Sequence, residues 1–68
     1  MNMFDACNKM QRLNRVLEQE GIIIEEVRPA SFRGQCITVR KNAQYRYITL
    51  QFLEMEDEEI LEEIEYAF

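Results

Sequence analysis

Thirteen carboxylates and eight bases are spread unevenly along these 68 residues. The stretch Glu54–Phe68 holds eight of the acids and no base, while the residues before it hold five acids and all eight bases. The two parts therefore carry −8 and +3, which sum to the net −5. Carboxylates packed this densely can bind a hard cation or face a positively charged surface. A calcium loop spaces its ligands along a turn containing glycine, and Glu54–Phe68 contains none. No metal site is expected there. Cys7 and Cys36 do not supply the four-ligand set of a zinc site, and no cofactor is expected.

Catalytic chemistry finds few footholds. The chain has no histidine, so the commonest general base is missing and neither cysteine can pair with an imidazole. Ser31 is the only serine, and Gly21 and Gly34 are the only glycines, too few for a phosphate-cradling loop. The expected role is binding, not catalysis.

Two sets of residues could do that binding. The first is acidic. Glu56, Asp57, Glu58 and Glu59 fall at a helix start, where negative charge is favoured by about 0.3–1 kcal/mol per group. Glu62, Glu63 and Glu65 fall toward the helix end, where the dipole opposes them. Glu58–Glu62 and Glu59–Glu63 are like-charge pairs at i,i+4, each costing about 0.2–0.5 kcal/mol. Either this is a solvated face, or Glu58, Glu59, Glu62, Glu63, Glu65 and Tyr66 form a partner-binding surface with tyrosine as its anchor. The second set is basic and aromatic: Arg28, Arg33, Arg40, Lys41 and Arg46 with Tyr45 and Tyr47. Bases interleaved with aromatics can hold phosphates and stack nucleobases. Alternatively, these arginines pair with Glu25 and Glu26 across a sheet.

These residues need elements to hold them. Residues 3–20 read as a first helix, with Met3, Ala6, Met10, Leu13 and Leu17 at helical spacing and Phe4, Cys7 and Val16 widening the stripe. Asn2 suits its N-cap and Gly21 its C′ position. Cys7 is expected to be a small buried hydrophobe, with Lys9, Arg12 and Arg15 on the opposite side. Ile22-Ile23-Ile24 opens a strand that runs through Val27 and stops near Pro29. Gln35–Lys41 and Tyr45–Leu53 alternate and are joined by the short connector Lys41-Asn42-Ala43-Gln44, in which Asn42 tolerates positive φ, and this predicts a hairpin. Ile37, Val39, Ile48, Leu50 and Phe52 then share the face that meets the helices. The second helix begins near Met55–Asp57, with Ile60, Leu61, Ile64, Ala67 and Phe68 inward and the glutamates outward.

The expected fold is therefore α+β: one domain over residues 1–68, α-β-β-β-α, with two helices on one face of a three-stranded antiparallel sheet. No run of eighteen apolar residues suggests a membrane span, and Met1–Asp5 lacks a signal-peptide pattern. Reduced thiols in the cytoplasm are the expectation. A chain this short buries only about 60% of its unfolded surface, so its stability margin is thin and a dimer would widen it. The strand edge near Ile22–Val27 and the first helix are the surfaces expected to serve such a dimer.

The order α-β-β-β-α is similar to the double-stranded-RNA-binding domain. That family starts its second helix with lysines for phosphate contact, and here the matching place reads Glu56-Asp57-Glu58-Glu59, the inverse charge. Direct nucleic-acid binding is not what this resemblance implies. The same fold serves small toxins that cleave RNA with a histidine, which this chain lacks. In size, acidity and lack of catalytic residues, the chain also resembles small phage-encoded inhibitors of bacterial defence, the anti-CRISPR and anti-restriction proteins. That resemblance implies an inhibitor that presents acidic side chains to a basic, nucleic-acid-handling surface of a protein partner.

Overall fold

Helical spacing, β-branched runs and one tight hairpin turn give the chain its elements in a single order. In a computed structural model that describes residues 2–31 and 34–68, these are α1 (Met3–Leu17), β1 (Ile22–Pro29), β2 (Gln35–Lys41), β3 (Gln44–Leu50) and α2 (Asp57–Ala67). A short 3-10 turn, Glu18–Glu20, finishes α1 before the strand begins. The strands form one antiparallel sheet in the order β1-β2-β3. Both helices pack on one face, and the fold is α+β as expected.

Local chemistry sets the element ends. Asn2 Oδ1 accepts from the Phe4 and Asp5 amides at 3.0 and 3.3 Å, taking up donors that a helix start leaves free. Gly21 adopts φ 73°, a left-handed conformation that glycine enters without Cβ strain. Asn42 adopts φ 57° in the two-residue β2–β3 turn, as its short polar side chain permits. At Gly34 a Cβ would stand 3.1 Å from the Leu50 carbonyl oxygen, so the close approach of the β1–β2 connection to β3 depends on glycine.

The core is built from Leu13 and Leu17 of α1, Ile24 of β1, Ile37 and Val39 of β2, and Ile60 and Ile64 of α2, all fully buried. Phe52 joins them, but from a turn. The expected strand Tyr45–Leu53 ends at Leu50, because β2 begins at Gln35, the partner of Leu50, and offers no ladder beyond it. The Gln51 carbonyl accepts from the Met55 amide at 2.9 Å, and Gln35 Oε1 accepts from the Leu53 amide at 3.2 Å. That turn drops the Phe52 ring into the core.

The helix α1 buries a narrower stripe than its apolar residues suggest. Ala6, Lys9, Leu13 and Leu17 are buried, whereas Met3, Phe4 and Val16 are exposed. Cys7 is exposed too, contrary to expectation, because it lies about 100° around the helix from Ala6 and beyond the arc that meets the sheet. Lys9, expected on the outer side, takes a buried place.

One irregularity keeps β1 in register with the core. Two residues, Ile24 and Glu25, stand opposite Val39, a β-bulge. It lets Ile22, Ile24 and Val27 all point inward despite the odd spacing between Ile24 and Val27.

Candidate functional site

The acidic surface is carried by α2. Ile60 and Ile64 anchor the helix on the sheet, which turns Glu58, Glu59, Glu62, Glu63, Glu65 and Tyr66 to solvent. Glu59 also serves the helix itself, since its Oε1 accepts from the Glu56 amide at 3.2 Å and closes the first turn. Glu62, Glu63, Glu65 and Tyr66 line one shallow depression on the outer side. Tyr66 is 93% exposed, so its ring does not fold back onto the sheet or onto α1. Among the described residues, no base forms an ion pair with these glutamates.

The acidic field extends beyond α2. Glu20, at the end of the turn after α1, meets Glu65 side chain to side chain. A hydrogen bond between the two carboxyl groups, and then their like charge, hold Glu65 above the ordinary carboxylate value. Sequence spacing alone did not join Glu20 to this surface; the end-to-end match of α1 and α2 does.

At the other end of α2 the charge is matched. Arg12 Nε and Nη2 donate to the two Asp57 carboxylate oxygens at 2.7 and 2.8 Å, a fork that ties α1 to the start of α2. Hydrogen bonding to Arg12 holds the Asp57 carboxyl below its ordinary value, against a smaller opposing effect of burial. Lys9 Nζ donates to the Met55 carbonyl and sits 5.6 Å from the centre of the Phe52 ring.

The basic and aromatic set does not come together. In β3, Tyr45 and Tyr47 stand on the sheet face away from the helices, 48% and 68% exposed. Arg40 lies directly opposite Tyr45 on that face. Arg46 points the other way, as alternation along a strand requires. Its Nε donates to the Ala67 carbonyl at 3.0 Å, and its guanidinium lies 5.3 Å from the centre of the Phe68 ring. A cation there also satisfies the negative end of the α2 dipole. Arg40 of β2 pairs with Glu25 of β1 at 3.3 Å, an opposite-charge pair across the sheet, whereas Arg28 pairs at 2.8 Å with Glu26, two residues back on its own strand. Lys41 sits at the hairpin end, half-buried. Arg33 lies outside the described residues.

Among the described residues, no three His, Cys, Asp or Glu side chains converge as a metal site. No helix is long and apolar enough to cross a membrane. Neither a family model, nor a curated protein, nor a solved structure matches this chain.

Proposed function

We propose that this protein is a binding module whose α2 face docks on a basic, nucleic-acid-handling surface of a partner protein and occupies the place meant for phosphates. The observation that carries this reading is the set Glu62, Glu63 and Glu65 around a 93% exposed Tyr66, without an ion-pair partner among the described residues. Two bases that reach α2 are engaged at its ends: Arg12 on Asp57 and Arg46 on the Ala67 carbonyl. The helix thus keeps an uncompensated charge that folding does not use, beside an aromatic suited to a central contact. Small size and acidity fit an inhibitor of the kind that phages direct against bacterial defence systems.

Capture of the partner from the cell of origin or its host, followed by titration, tests the reading. The triple variant Glu62→Gln, Glu63→Gln, Glu65→Gln should fold normally and bind about tenfold or more weakly at low salt, mostly through slower association. Its affinity should also vary less with ionic strength. Undiminished affinity would sink the reading.

The helix-free sheet face favours one other reading, because Tyr45 and Tyr47 offer exposed rings beside Arg40. There the chain would bind single-stranded nucleic acid by stacking. Anisotropy titration with generic DNA and RNA at low salt separates the two: binding abolished by Tyr47→Ala supports stacking, and no binding discards it.

A further inference from the structure

A sheet has two edges, and this one treats them differently. In an antiparallel pair, residues alternate between those whose amide and carbonyl bond the partner strand and those whose groups point away. The two-residue turn makes Lys41 and Gln44 a bonded pair, so Val39–Arg46 and Ile37–Ile48 are bonded pairs as well. Val39 thus spends its groups on β3, and Ile24, opposite Val39 on β1, turns its own groups to the outer edge.

That outer edge is closed. Asn14 of α1 reaches across it, its Oδ1 accepting from the Ile24 amide at 2.8 Å and its Nδ2 donating to the Ile24 carbonyl at 3.1 Å. The side-chain amide stands where a neighbouring strand would put its peptide. One residue further on, the bulge at Glu25 breaks the regular spacing that an added strand would need. Pro29, at the end of β1, has no amide to offer. The edge first expected to serve a dimer is therefore blocked.

The β3 edge has none of these protections. By the same alternation, Tyr45, Tyr47 and Thr49 point their amides and carbonyls outward. Consistent with this, the Tyr45 carbonyl is free to accept from its own neighbour, Arg46 Nη1, at 2.9 Å. The strand is regular, carries neither proline nor glycine, and has one charge, Arg46, which lies against the end of α2. An unpaired strand edge of this kind is a template for another strand.

We propose that β3 is a self-association edge, on which a second copy of this chain pairs its own β3 antiparallel about a twofold axis through Tyr47. In that register Tyr47 meets Tyr47 of the second copy and Tyr45 meets Thr49, so outward groups pair with outward groups. The charges favour this occupant. Arg46 falls opposite Ile48 and no like charges face each other, whereas contacts through α2 would set glutamate against glutamate. Because β1 is closed, pairing at β3 ends with two copies and does not run on into a filament. The twofold axis stands perpendicular to the joined sheet, so the helices of both copies lie on one side. The tyrosines form one continuous aromatic strip on the other side.

Sedimentation equilibrium over a wide concentration range, at enough salt to screen the net −5 of each chain, tests this directly. The mass should rise toward twice the monomer value with concentration. Over the same range, the amides of Tyr45, Tyr47 and Thr49, which have no partner strand within the monomer, should gain protection from hydrogen exchange. Tyr47→Lys should remain monomeric with unchanged far-UV circular dichroism, and Thr49→Lys serves if the first variant fails to fold. A chain that stays monomeric at millimolar concentration overturns the proposal. So does a dimer in which the Tyr47 amide still exchanges freely, or one that persists in the folded lysine variant. None of these outcomes depends on whether α2 binds a partner.

Discussion

Lys9 carries a charge to the rim of the core and finds two groups there that accept it. Its stem lies against the buried layer, its ammonium donates to the Met55 carbonyl, and the Phe52 ring stands beneath. The contact fixes the turn that delivers Phe52 to the core. Lys9→Ala should therefore destabilise the fold by about 1–3 kcal/mol, since it leaves a partly buried carbonyl unpaired and removes packed methylenes. Lys9→Met keeps most of the stem and should cost less than the alanine variant. Denaturant midpoints for the two variants check the order; equal losses would mean that the methylenes contribute nothing. Residue chemistry of this sort was only partly legible. Asn2 as a cap and Asn42 at positive φ follow from short-range rules. The destinations of Lys9 and Arg46 do not, because each depends on an acceptor far along the chain: Met55 in one case, Ala67 in the other.

At the scale of elements, Asn14 does for β1 what a fourth strand would do. It satisfies both the amide and the carbonyl of Ile24 and so fastens α1 to the sheet edge. Asn14→Ala should cost about 1–3 kcal/mol, the penalty for leaving partly buried polar groups unpaired. Asn14→Asp keeps the acceptor for the Ile24 amide but sets a second oxygen against the Ile24 carbonyl, so it should cost at least as much as alanine. Urea unfolding with an unchanged slope would confirm that the native state alone is affected. The helices and the hairpin were legible because their apolar periods, 3.6 and 2, are repeated several times. The end of β3 was not, since alternation through Phe52 continues after the partner strand has run out. The bulge did leave a trace: apolar residues at 22, 24 and 27 break a strict period of two, and an inserted residue restores it.

For the whole molecule the main tension is electrostatic, and two carboxyl groups respond to it in opposite senses. Asp57, bonded by Arg12, binds its proton less readily folded than unfolded. Its contribution to stability is complete above the ordinary value of 3.8 and is lost as pH falls through the lower folded value. Glu65, pressed against Glu20, binds its proton more readily folded than unfolded. Its contribution is complete below the ordinary value of 4.5 and is lost as pH rises through the higher folded value. Stability should therefore increase as a neutral solution is acidified toward pH 4.5, then decline once Asp57 begins to protonate below 3.8. Glu65→Gln removes the like-charge contact, so it should stabilise the protein at neutral pH and flatten the rise on the acid side. Arg12→Gln should act at the opposite end, weakening the fold at neutral pH and flattening the decline below 3.8, because Asp57 then binds its proton about equally well folded and unfolded. Thermal midpoints of the three proteins across this pH range decide the matter. A wild-type profile that falls steadily from neutral pH, or a Glu65→Gln variant no more stable than wild type at pH 7, would show that the Glu20–Glu65 contact is relaxed in solution. A wild-type rise that is absent in Glu65→Gln means that charge on the outer face of α2 is kept at a cost to folding.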